Sequence, residues 1–335
     1  MKTYLLVSTI NSYPMVDLLT KYIPVMGVIT LKDKYAKNNH EYYDYSIFCK
    51  QRELTCIEVE SYSLKSKNDY DLLSQLQIDL LLVLGWQRLV PDWFINQCGI
   101  GAIGVHGSPW GIATGRGRSP QNWALLLGCD CFSVSIFWLD EKIDSGNIID
   151  TATFQYTELD DITTSYLQLA YLVVEMIMKN IHNGNIKSKI GYKQIGNIAY
   201  LPKRNYEDGM IDWNRNCMEI YNFIRALTKP YPGAFTVINH HTIHIWRAKY
   251  IHSNFFDHHK CGEIIQILPK DQLIVKCKGG VIIVEEYENV DHIELLQGSV
   301  FESANFKLQI KNLVQRHYSQ NLGLVSHHIT SIYEK

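Results

Sequence analysis

The sequence predicts an α/β protein in which a mostly parallel sheet, covered by helices, precedes a small β-barrel. Short apolar runs typical of strands alternate with helical patterns through the first half of the chain, as expected for parallel strands joined by helices. Residues 185–205 are polar with little periodicity, and the pattern of residues 234–286 indicates short strands separated by turns. We therefore expect a Rossmann-like first domain and an OB-like barrel after it.

The first domain is predicted to contain strands separated by helices. The strands are expected at residues 4–9, 25–30, 57–60, 80–84, 102–106 and 132–139, and helices at residues 15–22, 42–53 and 119–127. The strongest helical pattern covers residues 160–181, with Asp and Thr residues that can cap its start and Gly184 just past its end. This helix is expected to close the domain.

The second half of the chain predicts a short helix and then the barrel. The helix covers residues 218–227, and the five barrel strands are expected at residues 235–238, 242–250, 262–268, 272–277 and 281–286. The predicted domains are 1–190 for a catalytic domain, 191–233 for a linker with its helix, 234–296 for the barrel and 297–335 for a C-terminal extension. A helical pattern at 306–317 leaves two roles open for this extension, dimerisation and covering of the barrel.

Composition excludes several classes of protein. The 335 residues include 32 basic and 34 acidic side chains, which argues against general binding of nucleic acid because such binding depends on excess positive charge. Eight cysteines without a CxxC pair favour a reducing, cytoplasmic compartment. The longest apolar stretch elsewhere, residues 167–178, contains Glu175 and is short of the roughly 20 residues that cross a bilayer, so no membrane span is expected.

Glycines at 99, 101 and 104 match the GxGxxG pattern, but their context does not fit a dinucleotide site. That fingerprint follows a strand and opens a helix, whereas here a short helical pattern precedes the glycines and a strand-like run follows them. We expect a tight turn into a strand that carries His106 to the carboxyl edge of the sheet, where α/β proteins bind ligands. The alternative for His106 is a core histidine with one hydrogen bond.

Asp144 follows the predicted strand at 132–139 and is expected at the same sheet edge. A carboxylate beside an imidazole favours the imidazolium form and fixes the orientation of the ring. The alternative for Asp144 is a solvated turn residue.

Arg116 and Arg118 lie between His106 and Asp144 in the sequence, on a glycine-flanked loop. They fit an anionic group such as phosphate or carboxylate, and either one could instead hold the loop through carbonyl contacts.

Other clusters predict no metal site. His240, His241 and His244 fall in one predicted strand whose alternation places 240 and 244 on one face and 241 on the other, with no nearby cysteine to complete a ligand set. Cys129 and Cys131 are expected to be buried thiols.

Several of these motifs, in order, resemble one known family. The matching segments are His106-Gly-Ser108-Pro, Arg116-Gly-Arg118-Ser-Pro, Trp123-Ala-Leu-Leu and Asp144-Ser-Gly-Asn-Ile-Ile, followed by 207–213, 221–226 and 230–235. They are similar to the 10-formyltetrahydrofolate-dependent formyltransferases, and the later segments are similar to the methionyl-tRNA and amino-sugar branches. The resemblance extends from the first strand to about residue 290.

The resemblance implies transfer of a formyl group from N10-formyltetrahydrofolate to a primary amine. His106 would stabilise the oxyanion of the tetrahedral intermediate, and Asp144 would hold the imidazole and help to collect the amine proton. The pterin would be bound, largely by backbone groups, at Leu84, Gly85, Trp86, Gln87, Arg88, Leu89, Val90 and Ile143. The substrate would be bound by Arg116, Arg118, Asp212, Trp213 and Arg225.

Gly104 departs from the family pattern, which has Asn two residues before the catalytic histidine. Loss of one oxyanion donor typically lowers turnover about 10²- to 10³-fold. Asn122 and Ser108 are the candidates to supply the missing bond. A loop that is two residues longer between His106 and Arg116 is a second departure.

Three functions follow as alternatives. The first is N-formylation of a nucleotide-linked amino sugar, such as dTDP-4-amino-4,6-dideoxyglucose, for surface polysaccharide. The second is methionyl-tRNA formylation, which would require a nucleic-acid partner that the charge does not favour. The third is a non-catalytic binding homologue, suggested by Gly104. The sequence leaves open whether the protein forms a homodimer.

Overall fold

The computed structural model describes residues 1–35 and 41–334, so residues 36–40 of the predicted catalytic domain and the last residue of the predicted extension lie outside the described residues. The chain forms two compact units. The first contains Met1–Arg116, Ser133–Phe154 and Tyr166–Asn197, and the second contains Gly117–Phe132, Gln155–Ser165 and Ile198–Lys335. Two segments of the predicted catalytic domain, 117–132 and 155–165, therefore group with the C-terminal half.

The strands and helices are as follows. The strands are β1 Thr3–Val7, β2 Val25–Leu31, β3 Thr55–Val59, β4 Leu80–Leu84, β5 Gly101–Ser108, β6 Arg116–Gly117, β7 Cys131–Trp138, β8 Ile148–Gln155, β9 Tyr200–Leu201, β10 Ala234–Ile238, β11 His241–His252, β12 Ile264–Leu268, β13 Gln272–Cys277 and β14 Gly280–Glu288. The α-helices are α1 Tyr13–Tyr22, α2 Tyr45–Gln51, α3 Lys67–Leu73, α4 Asp92–Gln97, α5 Pro120–Leu126, α6 Ile162–His182, α7 Cys217–Leu227, α8 Phe306–Ser319 and α9 His327–Glu334.

The first unit is built on a seven-stranded sheet in the order β3-β2-β1-β4-β5-β7-β8. Strands β1 to β5 pair in parallel, and β7 pairs with β5 in the antiparallel direction. Leu5, Leu6, Leu81 and Leu82 on the central strands are fully buried, as expected for parallel strands covered on both faces. The prediction of a mostly parallel sheet is confirmed.

Strand β8 and helix α3 were not expected from the sequence. Strand β8 lies at an edge of the sheet, and only Ile149 and Phe154 of its eight residues are buried. Helix α3 is seven residues long and buries only Asp69 and Leu73. Neither segment has the continuous apolar pattern on which the sequence predictions depended.

The second unit contains a five-stranded antiparallel sheet in the order β10-β11-β14-β13-β12. The five predicted strands are confirmed. Residues 298–302 connect the two edge strands, because Gly298 N–H donates to Ile264 O at 2.8 Å and Glu302 N–H donates to Val237 O at 2.8 Å. This segment closes the sheet into a small barrel, which therefore extends past residue 296, the end predicted from the sequence.

His240 does not lie in a strand, contrary to the sequence prediction. Asn239 and His240 form the two-residue turn between β10 and β11, with φ values of 50° and 68°. His241 begins β11, and His244 lies farther along it, with its ring stacked at 15° on Trp246.

Within residues 1–35 and 41–334, no helix has the length and apolar character that crossing a bilayer requires.

Candidate active site

Strand β5 carries His106 toward its carboxyl end. The glycines from 99 to 104 lead into this strand and not into a helix, so the structural context that a dinucleotide fingerprint needs is missing. The prediction that the glycine pattern makes a turn into a strand is confirmed.

The structure brings together His106 and Asp144, the two residues paired by the sequence analysis. His106 Nδ1 lies 3.5 Å from Asp144 Oδ2, and the two side chains are 9% and 22% exposed. His106 Nε2 lies 2.8 Å from the carbonyl oxygen of Gly115. A carbonyl can only accept, so Nε2 carries a hydrogen, while Nδ1 faces a second acceptor; an imidazole protonated on both nitrogens satisfies both neighbours.

Asp144 reaches His106 by a different route from the one expected. Because β7 is antiparallel to β5, its last residue, Trp138, lies opposite Ile103, near the start of β5. The end of β7 is therefore not at the same sheet edge as His106, which corrects the sequence argument. The loop of residues 139–147 folds back instead, and Asp144 adopts a left-handed φ of 47° within it.

Gln194 holds this loop and was missed by the sequence analysis. Its side-chain Nε2 donates to the carbonyl oxygens of Asp144 at 2.7 Å and Gly146 at 2.9 Å. Its Oε1 accepts from Arg116 Nη2 at 2.8 Å. Gln194 lies in the polar segment 185–205, which the sequence indicated only as a connection, and no periodicity marks it.

Arg116 is a buried cation in the same network. Its side chain is 5% exposed, and its Nε has no hydrogen-bond partner among the described residues. Its partner there is the neutral amide of Gln194, so an anionic group could still be accommodated. Arg118 belongs to the second unit, where its backbone N–H donates to Leu201 O at 3.2 Å.

The side chains proposed to replace the missing carboxamide are engaged in the fold. Ser108 is fully buried, and its hydroxyl accepts the N–H of Trp110 at 3.1 Å. Asn122 is 1% exposed, and its Nδ2 donates to Ala226 O at 2.5 Å. Each contact leaves a donor hydrogen unused, that of the Ser108 hydroxyl and the second one of the Asn122 amide. The role of either group as an oxyanion donor stays a prediction.

The predicted pterin site begins where β4 ends. The strand order reverses between β1 and β4, and ligands of α/β sheets bind at such a switch point. Gly85 has a φ of 71°, and a side chain there would collide with the hydroxyl groups of Thr9 and Ser12. Among the described residues, the backbone groups of Leu89 and Val90 make no hydrogen bonds, so they are available to a ligand.

The other residues of the predicted pterin site differ in exposure. Leu84, Trp86 and Val90 are buried, Gln87 is half-buried, and Gly85, Arg88, Leu89 and Ile143 are exposed. The backbone N–H of Gln87 donates to Tyr62 Oη at 3.1 Å, and the guanidinium of Arg88 lies 5.4 Å from the centre of the same ring. The loop is therefore supported from one side by an aromatic side chain.

Three predicted substrate-binding residues form part of the second unit's own structure. Asp212 accepts the backbone N–H of Phe306 at 2.9 Å. Trp213 is fully buried and donates to Thr236 Oγ1 at 3.0 Å. Arg225 donates through Nη1 to two backbone carbonyl oxygens at 2.8 Å, those of residues 157 and 160. Burial of Trp213 leaves no surface of its side chain for a substrate. Asp212 and Arg225 are partly exposed, so substrate binding by these two residues stays a prediction.

Comparison with known sequences gives matches over most of the chain. A family model described as "Formyl transferase" matches residues 19–181, and one described as "Formyl transferase, C-terminal domain" matches residues 203–297. The bifunctional polymyxin resistance protein ArnA of Wigglesworthia glossinidia brevipalpis is 30% identical over 274 residues, which are 78% of this chain and 40% of that protein. The methionyl-tRNA formyltransferase of Fusobacterium nucleatum is 24% identical over 295 residues, which are 85% of this chain and 93% of that protein.

The chain therefore spans about two fifths of the ArnA relative and nearly all of the methionyl-tRNA formyltransferase.

Solved structures share the fold. WlaRD, a sugar 3N-formyltransferase crystallised with dTDP and 5-N-formyl-THF, superposes with a TM-score of 0.57 at 16% identity, covering 88% of this chain and 99% of WlaRD. The N-formyltransferase of Helicobacter canadensis, in complex with folinic acid and dTDP-3-aminofucose, gives a TM-score of 0.57 at 17% identity, covering 85% of this chain and 98% of that one. With two domain models matched in order and this shared fold, the resemblance seen in the sequence is confirmed, and the chain belongs to the formyl transferase family.

Proposed function

We propose that this protein transfers a formyl group from N10-formyltetrahydrofolate to the primary amine of a nucleotide-linked amino sugar, such as dTDP-4-amino-4,6-dideoxyglucose, for surface polysaccharide. The observation that carries the proposal is the pair formed by His106 and Asp144, with Nδ1 and Oδ2 3.5 Å apart. A largely buried imidazole between a carboxylate and a carbonyl oxygen is suited to stabilising a developing negative charge.

The reaction uses the two groups in different ways. The amine nitrogen attacks the formyl carbon, its carbonyl oxygen becomes an oxyanion, and the bond from carbon to N10 then breaks. His106 donates a hydrogen bond to the oxyanion, which takes the place that Gly115 O holds as acceptor in this structure. Asp144 accepts the proton released by the amine, and this proton is passed to N10 as the bond from carbon to N10 breaks, so that Asp144 ends as a carboxylate again. Positioned acid and base groups of this kind contribute about 10²- to 10⁴-fold in rate.

Two features support the choice of co-substrate and acceptor. The backbone groups of Leu89 and Val90 at the switch point, which make no hydrogen bond within the described part of the chain, suit a pterin ring, which carries both donors and acceptors. The buried guanidinium of Arg116, with its Nε unpartnered among the described residues, suits a phosphate of the sugar nucleotide. The eight free cysteines support a cytoplasmic location.

Methionyl-tRNA formylation is the second candidate. It is favoured by the match to the Fusobacterium nucleatum enzyme along 93% of that protein's length. The net charge of −2 favours the sugar nucleotide instead, because tRNA binding depends on excess positive charge.

The test is incubation of the purified protein with 10-formyltetrahydrofolate and a panel of dTDP- and UDP-linked amino sugars, with the formylated product detected by mass spectrometry. Initiator methionyl-tRNA is tested in parallel, with its affinity measured at low and moderate salt. Product with tRNA alone would support the second candidate, and product with neither acceptor would remove both and leave the non-catalytic alternative.

A further inference from the structure

We propose that Gln194 is a positioning residue that holds Asp144 in reach of His106. The inference rests on the proposed function, since it assigns Gln194 a part in the same reaction without contact with the substrate. It is carried by three hydrogen bonds of one side-chain amide, two to the loop that bears Asp144 and one to the buried Arg116.

The contacts of the Gln194 amide allow only one orientation. Both carbonyl oxygens, of Asp144 and Gly146, can only accept, so they require the NH₂ end of the amide. The guanidinium of Arg116 can only donate, so it requires the oxygen end. All three partners are satisfied by glutamine, whereas glutamate would place a negative carboxylate against two carbonyl oxygens.

The loop needs such a contact because the sheet does not place Asp144. The chain leaves β7 at Trp138, opposite Ile103, and must return along β5 to bring a carboxylate to His106. Asp144 has a left-handed φ of 47°, a conformation that is unfavourable for a residue with a side chain unless its surroundings hold it. The two bonds from Gln194 are made to the carbonyl oxygen of this residue and to that of Gly146, two positions later.

Gln194 is itself fixed on both sides along its own segment. Tyr192 and Ile148 exchange two backbone hydrogen bonds, each of 2.8 Å, which ties the segment to the start of β8. A Cβ atom added at Gly196 would lie 3.4 Å from Thr114 Oγ1 and 3.6 Å from Ala113 Cβ, so this residue is close to the loop that supplies the carbonyl of Gly115. The amide thus joins the loop that bears Asp144 to Arg116, the residue that follows Gly115.

The experiment compares Gln194→Met, which keeps the shape and removes all three hydrogen bonds, with Gln194→Glu, which keeps the acceptor for Arg116 and removes the donors. Asn197→Leu is the matched control, because Asn197 is an exposed amide on the same segment with no hydrogen bond among the described residues. Hydrogen exchange of the amides of residues 139–147 is measured for each variant, together with kcat and KM for formyl transfer.

We expect faster exchange of this loop in both Gln194 variants and not in the control. We also expect kcat to fall about 10- to 100-fold, with KM for the amino sugar little changed, because a misplaced catalytic group slows the chemical step. In an Asp144→Asn background, Gln194→Met should cause little further loss, since its effect passes through Asp144.

Three results would overturn the role of Gln194 in an active protein: unchanged loop exchange, an unchanged kcat, or an equal loss of kcat in the presence and absence of the Asp144 carboxylate. Absence of product from the unsubstituted protein with every acceptor would overturn the proposed function itself, a failure that is distinct because it appears before any substitution is made.

Discussion

Leu139 fills the space beside Gly104 on strand β5. A Cβ atom added at residue 104 would lie 2.6 Å from Leu139 Cδ2 and 2.9 Å from Phe137 Cζ. The position two residues before His106, which carries a carboxamide in the family pattern, is therefore packed with apolar side chains in this protein. Apolar side chains thus occupy the place where the family pattern has an oxyanion donor. An amide side chain would fit at residue 104 only if Leu139 moved.

Gly104→Asn is expected to destabilise the protein. Overpacking of a filled site typically costs about 1–3 kcal/mol in the free energy of unfolding, and Leu139→Ala in the same chain should recover part of this loss by removing the nearest atom. Urea unfolding of the two single variants and the double variant measures the effect. Equal stability of Gly104→Asn and the unsubstituted protein would show that the space is open.

Asp144→Asn is expected to slow formyl transfer while leaving the fold intact. The substitution keeps the size of the side chain but removes the carboxylate that faces His106 Nδ1, so we expect kcat to fall about 100-fold or more. Asp140→Asn is the matched control, since Asp140 lies on the same loop and accepts the N–H of Lys142 at 3.1 Å. Equal activity of both variants would remove Asp144 from the mechanism.

The fold was predictable where the apolar pattern is continuous. Strands β1 and β4 are buried along nearly their whole length, and such runs are visible in the sequence. Strand β8 was missed because its edge position leaves most of its residues partly exposed. The closing segment at 298–302 was missed because its few backbone bonds to distant strands leave no periodic signal.

The site was predictable only in part. The pairing of His106 with Asp144 follows from motif order, but the route of the loop depends on the antiparallel direction of β7, which local sequence does not encode. Gln194 became visible only through contacts made across 48 and 78 positions of the chain. Trp213 was assigned to substrate because it lies in a family motif, whereas its indole packs in the barrel core.

Asp212→Ala is expected to lower stability without changing KM for the amino sugar. The carboxylate accepts the N–H groups of Phe306 at 2.9 Å and Asn214 at 3.0 Å, and losing hydrogen bonds to a charged group typically costs about 1.5–3 kcal/mol. Asp212→Asn keeps one acceptor oxygen and should recover part of the stability. Thermal unfolding and steady-state kinetics separate the two effects, and a raised KM with unchanged stability would support the substrate-binding role predicted from sequence.

His317 is expected to make the stability of the C-terminal helices sensitive to acid. Burial lowers the pKa of His317 below its ordinary value of 6.5, partly offset by the carbonyl of Gly323. The side chain is 5% exposed, its Nε2 lies 3.1 Å from Gly323 O, and its Nδ1 has no partner among the described residues. Protonation of the ring would therefore place a charge on a nitrogen without an acceptor.

The direction of the pH effect follows from this lowered pKa. As the pH falls, the unfolded chain takes up the proton at about 6.5, before the folded chain does. Stability is thus unaffected by His317 above this pH and is lost as the pH falls from about 6.5 toward the pKa of the folded state. His317→Asn keeps a donor for Gly323 O and removes the titration, so the variant should lose less stability than the unsubstituted protein between about pH 7.5 and pH 5.5. Urea unfolding at both pH values measures this difference. The control is His240→Asn, a substitution at an exposed turn residue. An identical loss of stability in the unsubstituted protein and in both variants would show that His317 does not cause the acid sensitivity.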